Sequence, residues 1–235
     1  MKISVLIIAH NEEEWIKRCI ESILNQTQKP DEIVLIAHNC TDGTIKIAQN
    51  YPEIKLVEYS GPVGIPYARI KGFETVTGDI ICCTDGDAWA DKNWVKEMAK
   101  TLQKNNILVG SWVKFKGTFW GYLSNLSNKY FCTKNKKPER WVWGASFACW
   151  GKDKNLIKDI LEKSIKLSKE LELKRNPEDY WIALFMKKYG KIEITNKTYV
   201  NVQTKELSSK ELITRSKENI QGGNKIENFI KQNPL

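Results

Sequence analysis

The sequence predicts an α/β fold: a mixed, mainly parallel sheet flanked by helices, in a single domain. Three observations point there. Apolar runs of strand length alternate with segments of helical period through the first 110 residues. The runs lack in–out alternation, as strands covered on both faces do. Short turn signals separate the segments, so each strand, helix, strand unit needs a parallel pairing and a right-handed crossover.

The elements follow in order. Ile3 to Ala9 is a continuous apolar strand, and Asn11 reads as a cap. Trp15, Ile16, Cys19, Ile20, Ile23 and Leu24 then recur at helical spacing. Gln28-Lys29-Pro30-Asp31 breaks the chain before a second strand, Ile33 to Ala37. Thr41-Asp42-Gly43-Thr44 reads as a turn into a short helix over Ile45 to Gln49. Lys55 to Glu58 is a third strand, and Gly61, Pro62, Gly64 and Pro66 form a loop before a helix from Tyr67 to Val76. Ile80 to Thr84 is a fourth strand; a helix over Asn93 to Lys104 leads to a fifth near Leu108.

The second half has another character. Trp, Tyr and Phe crowd residues 111–150, with Lys and Arg interleaved from Lys114 to Arg140. Lys152 to Arg175 is helical in pattern and Lys/Glu-rich, and Pro177 opens another helix through Lys188. Two short strands follow, at Ile192–Thr195 and Tyr199–Gln203. The Lys-rich tail reads as helix with a break at Gly222-Gly223. Residues 1–110 form one half of the domain, 111–205 the other, and 206–235 the tail.

At 235 residues the chain fits one domain, and 41% hydrophobic with 28% charged residues is ordinary for a globular protein. The +9 charge is compatible with an anionic substrate, an anionic membrane surface or a Lys-rich solvated face. Six cysteines occur without C-x-x-C spacing, and four lie in or beside apolar runs. They indicate buried thiols in a reducing compartment. No apolar run has the length of a membrane span, and the first is too short for a signal peptide. The expected location is cytoplasmic, with peripheral association at the inner face of the membrane as a further expectation from the aromatic and basic segment.

Ligands of parallel α/β sheets bind beyond the carboxyl ends of the strands. Three stretches qualify: His10-Asn11-Glu12, His38-Asn39 and Asp85-Gly86-Asp87. The last is open to two readings. Two carboxylates around a glycine suit a hard divalent cation that shares coordination with substrate phosphates. Asp and Gly are also ordinary turn residues. Asn176-Pro177-Glu178-Asp179 is similarly divided between a helix start, with Asn176 as cap and acids in the first turn, and a general base. Arg69, after the Gly/Pro loop, is either a phosphate ligand or solvated.

Taken together and in order, these stretches resemble family 2 glycosyltransferases of the GT-A, Rossmann-like fold. The carriers are Val5 to Glu13, Asp31 to Ile36 with Asn39-Cys40-Thr41-Asp42-Gly43-Thr44, Ala68-Arg69 with Gly72, Gly78 to Asp87 with Trp94, Gly144-Ala145 with Ala148, and Glu178-Asp179. The resemblance covers residues 1–190. It implies a metal-dependent, inverting transfer of a sugar from a nucleotide diphosphate sugar to a hydroxyl of a glycan or lipid-linked acceptor. By the same resemblance, Asp85 and Asp87 hold Mn2+ or Mg2+, and Asp179 (or Glu178) is the base. Ala9, His10, Asn11, Glu12, His38, Asn39 and Asp42 line the nucleoside side. Arg69 lies near the phosphates, and Gly86, Gly144 and Ala145 complete the donor site.

The chain departs from the family pattern at several places. Ala37 and His38 stand where members that read uracil often carry acids, so the donor is left between a UDP- and a GDP-sugar. Ile70 replaces an Asn, and the Gly-Gly-Phe often found before Glu-Asp is absent. Two other readings fit the sequence less well. A sugar-1-phosphate nucleotidyltransferase needs a Gly-rich basic loop where this chain has His10-Asn11-Glu12-Glu13. A non-enzymatic nucleic-acid binder leaves the strand-end carboxylates unexplained, and no nucleic-acid partner is expected.

Overall fold

The computed structural model describes residues 1–117, 142–174, 176–203 and 209–233. Much of the aromatic and basic segment, including Trp120, Tyr130, Trp141, Lys129, Lys134, Lys136, Lys137 and Arg140, lies outside the described residues.

The chain order is β1 (Ile3–Ala9), α1 (Ile16–Leu24), β2 (Glu32–His38), α2 (Thr44–Ala48), β3 (Ile54–Tyr59), α3 (Ile65–Thr75), β4 (Ile80–Asp85), β5 (Ala88–Ala90), α4 (Trp94–Leu102) and β6 (Asn106–Lys116). Then come β7 (Phe147–Trp150), α5 (Lys154–Glu170), α6 (Glu178–Met186), β8 (Lys191–Gln203) and α7 (Ser209–Gln232). Eight strands form one sheet in the order β3-β2-β1-β4-β7-β6-β8-β5. β1 to β4 are mutually parallel where they pair. β7 then runs antiparallel to both β4 and β6, β6 is parallel to β8, and β5 is antiparallel to β8. The predicted mixed α/β sheet is therefore present, and its antiparallel strands all lie in the second half or beyond β4.

β1 lies between β2 and β4, which explains its unbroken apolar run. Val5, Ile7 and Ala9 face one layer, with Ile16 and Ile20 of α1 and Trp94 and Met98 of α4. Leu6 and Ile8 face the other, with Phe73 of α3, Leu161 of α5 and Trp181 of α6. Each successive side chain thus meets a different helical layer, and both must be apolar.

Four expectations are corrected. Asn11 does not cap α1: its φ is 54°, and its Oδ1 accepts a hydrogen bond from Thr41 N at 2.7 Å. Asn tolerates this left-handed geometry better than most residues. Ile192–Thr195 and Tyr199–Gln203 belong to one strand, β8. Its register against β6 jumps from Ser111↔Thr195 to Trp112↔Tyr199, so Asn196-Lys197-Thr198 is taken up as an irregularity. The tail helix α7 runs through Gly222-Gly223 without a break, because Ile226 is buried in the core and Phe229 and Ile230 pack against it. Tertiary burial there outweighs the low helix propensity of glycine. Asn176 does not cap α6; Pro177 occupies the cap position, and Asn176 Nδ2 donates to Ser164 Oγ at 3.2 Å.

Candidate active site

β4 ends at Asp85, and Gly86-Asp87 turns the chain into the three-residue strand β5. Both readings of this stretch meet here, since the turn is what presents the acids. Gly86 is needed for room: a Cβ would lie 3.0 Å from Ala9 Cβ and 3.3 Å from Glu12 Cγ. Ala9 is buried beneath it.

Beneath Asp85 lies Arg69, 0% exposed on α3. Its Nη2 donates to Asp85 Oδ1 at 3.0 Å, and its Nε to Glu178 Oε1 at 3.4 Å. The Arg69 guanidinium carbon also sits 5.3 Å from the Phe147 ring centre. Arg69 thus pairs the half-buried Asp85 at the end of β4 with the buried Glu178 at the start of α6. Burial opposes that charge, and Asp85 and Glu178 outweigh it, so Arg69 stays protonated.

α6 brings in the second acid pair. Glu178 is buried against Arg69, while Asp179 is partly exposed. Asp179 Oδ2 accepts from Gly144 N at 3.2 Å and its Oδ1 from Tyr180 N at 2.8 Å. Burial, reinforced by the neighbouring Asp179 charge and opposed by Arg69, pushes Glu178 up to about 8. Burial also pushes Asp179 up, against the N–H groups of Gly144 and Tyr180. Asp85 is likewise raised by burial and opposed by Arg69. Gly144 leaves no room for a side chain: a Cβ would lie 2.7 Å from Arg69 Nη2 and 3.2 Å from Glu178 Oε1. Gly144 and Ala145 lie in the turn before β7, one step short of the strand expected for them.

A cavity of about 510 Å³ joins these groups. Asp85, Asp87, Gly144, Ala145, Glu178 and Asp179 all line it, although 94 residues of sequence separate Asp85 from Asp179. Phe115 and Trp143 form part of an apolar wall, edge to face with ring centres 5.5 Å apart.

The predicted nucleoside-side residues gather at the ends of β1 and β2, outside the lining of this cavity. His10 Nδ1 meets His38 O at 2.8 Å. His38 is 4% exposed, stacks on Tyr59 and bonds Pro62 O at 3.0 Å. The Asn39 side chain exchanges two hydrogen bonds with the Gly61 backbone, at 2.9 and 3.1 Å. Glu12 N donates to Thr44 Oγ1, and Asp42 accepts from Glu13 N and Thr44 N. In this structure His38, Asn39 and Asp42 hold these loops together.

Sequence reasoning missed Val113, Leu173 and Val202, and it missed α7, whose Glu218, Gly222, Ile226 and Glu227 also line the cavity; Phe115 and Trp143 come from the aromatic segment that the sequence singles out. The four-residue step from Glu218 to Gly222 to Ile226 carried the signal, which the Gly-Gly reading hid.

Among the described residues no cluster of three or more His, Cys, Asp or Glu is arranged for a metal ion. Asp85 and Asp87 alone fit a narrower role. Their carboxylate oxygens line the cavity, and such hard donors suit Mg2+ or Mn2+ completed by substrate phosphates and water. Asp85 keeps Oδ2 for such a partner while Oδ1 faces Arg69.

The sheet order, with a crevice beside the carboxyl end of β4, defines a mixed α/β protein of the kind in which the strand ends are the expected place for a ligand. The particular family is settled by comparison: the chain belongs to glycosyl transferase family 2, whose sequence model matches residues 4–161. Glu178 and Asp179 lie beyond that match. The chain is 27% identical over 139 residues to glycosyltransferase GlyA of Streptococcus pneumoniae, covering 55% of this chain and 20% of that protein. It is 28% identical over 132 residues to the glucosyl-dolichyl phosphate glucuronosyltransferase of Haloferax volcanii, covering 51% of this chain and 42% of that one. The chain therefore spans less than half of either relative.

Solved structures share the fold. S. aureus TarS in complex with UDP-GlcNAc superimposes with a TM-score of 0.62 at 18% identity, over 88% of this chain and 60% of that chain. Glucosyl-3-phosphoglycerate synthase from Mycobacterium tuberculosis, in complex with Mn2+, UDP and phosphoglyceric acid, gives 0.62 at 17% identity, over 98% and 78%. The GT-A fold expected from the resemblance is thereby shown. Among the described residues no helix is long and apolar enough to cross a membrane.

Proposed function

We propose that this chain transfers a sugar from a nucleotide diphosphate sugar to an acceptor hydroxyl, with inversion at the anomeric carbon. The observation that carries the reading is the meeting of two acid pairs in one cavity, Asp85 with Asp87 and Glu178 with Asp179, over a single buried Arg69. Residues 1–110 supply the donor side and residues 111–205 the base.

Asp179 is the base. It is the more exposed acid of its pair, and two backbone N–H groups orient its carboxylate in the cavity wall. Burial lifts its proton affinity toward that needed to accept a hydroxyl proton near neutral pH. Glu178 is the positioning partner, held against Arg69. Asp85 and Asp87 would hold Mn2+ or Mg2+, which would offset the charge on the leaving diphosphate. The UDP and UDP-GlcNAc bound to the two structural relatives make a UDP-sugar the first donor to test, and a GDP-sugar the second.

The test is a thermal-shift panel of UDP, GDP, CDP and dTDP, each with and without Mn2+. We expect one nucleotide to stabilise the chain only with the cation, and Asp87→Ala to remove that shift. No shift with any nucleotide sinks the reading. With the donor known, Asp179→Asn should keep nucleotide binding and lower transfer by about 10²–10⁴-fold. Retained turnover would reassign the base to Glu178.

A further inference from the structure

We propose that α7 is the acceptor-side wall of the cavity, and that it selects a neutral or amino-bearing sugar over an anionic one, with Gly222 setting the room available. The inference rests on the transferase reading above and adds the acceptor class to it.

The first support is charge. Beyond the rim formed by Asp85 and Asp87, the α7 side of the cavity carries Glu218 and Glu227. The single cation among the described lining residues is Lys174, and it is paired to Glu218 at 2.9 Å. The donor's diphosphate has a means of neutralisation at the end of β4. An anionic acceptor group near α7 would meet carboxylates instead, and like charges in a partly desolvated cleft repel strongly. Hydroxyl and ammonium groups, by contrast, donate hydrogen bonds to carboxylates. Phe115 and Trp143, which also line the cavity, suit the apolar face of a sugar ring. A lipid-linked glycan qualifies only through a sugar remote from its phosphate.

The second support is shape. Gly222 sits inside a 24-residue helix, where glycine is a poor helix former. Among the described residues, a Cβ there would meet only Leu173 Cδ2, at an ordinary 3.8 Å. The space before it is the cavity itself, so the missing side chain is expressed as ligand volume. α7 is anchored in place by Ile226 in the core, by the Lys174–Glu218 pair and by Lys225 Nζ on Leu171 O at 2.8 Å.

The experiment uses the full chain and 4-nitrophenyl glucoside, glucosaminide and glucuronide as probes. Saturation-transfer NMR reads their binding with and without the stabilising nucleotide and Mn2+. We expect the neutral and amino probes to bind on the order of tenfold more tightly than the glucuronide. Glu227→Gln, which leaves the Lys174–Glu218 anchor intact, should narrow that gap. Gly222→Phe should abolish glycoside binding while the nucleotide-dependent thermal shift, which also reports a folded chain, stays intact. A glucuronide that binds as well as the glucoside overturns the proposal. So does unchanged glycoside binding by Gly222→Phe, or the absence of any glycoside signal beside intact nucleotide binding. Loss of nucleotide binding in the unmodified chain instead counts against the transferase reading.

Discussion

Arg69 shows how much one side chain decides. It bonds both Asp85 on the sheet and Glu178 on α6, with no exposure of its own. Arg69→Met leaves the half-buried Asp85 and the buried Glu178 without it, and breaking a buried pair typically costs about 3–5 kcal/mol. Urea unfolding should show a loss of that order, with a smaller loss for Arg69→Lys, which keeps the charge but not the two-sided fork. An unaltered midpoint for Arg69→Met would mean that the pair contributes nothing net. Gly144→Ala should act on the same cluster by crowding Arg69 and Glu178. We expect it to lower stability and transfer together. The Arg69 role was not legible from the chain order, because a solvated arginine and a buried one look alike until the helix carrying it is placed against β4.

At the scale of elements, α7 matters most. Its helical character was legible, but its continuity was not, since Gly222-Gly223 reads locally as a break. The burial of Ile226, with Phe229 and Ile230 packed against the same core cluster, overrides that local preference. Ile226, 5% exposed, is the point of attachment. Ile226→Ala should cost about 2–5 kcal/mol if α7 unfolds with the domain. A negligible change in urea, with fast amide exchange confined to α7, would show a helix that opens independently. The strands β1 to β4 were readable for the opposite reason. Each is buried on both faces, so local composition and tertiary demand agree.

Across the whole molecule, the acid cluster couples stability to pH. Glu178 has a folded pKa raised to about 8, above its ordinary value of 4.5. The folded state therefore binds its proton more tightly than the unfolded chain, and stability from this group is complete below pH 4.5. It is lost as pH rises towards and through about 8. The melting temperature of the unmodified chain should fall more between pH 6 and pH 9 than that of Glu178→Gln. Equal falls would show that Glu178 is ionised throughout. Because Glu178 and Asp179 are neighbours, kinetic pH profiles will report the pair rather than either acid alone.

By itself the sequence determined the alternation of strand and helix, the strand-end placement of Asp85 and Asp87, and the position of Glu178 and Asp179 in a helix's first turn. These are local properties: hydrophobic period, turn chemistry and spacing set them within a few residues. Only the tertiary structure decided that the two acid pairs share one cavity, that Arg69 lies beneath them, and that α7 forms a wall. Those facts depend on segments far apart in the chain packing together, and no local period encodes which partner a buried charge or a helix face will meet.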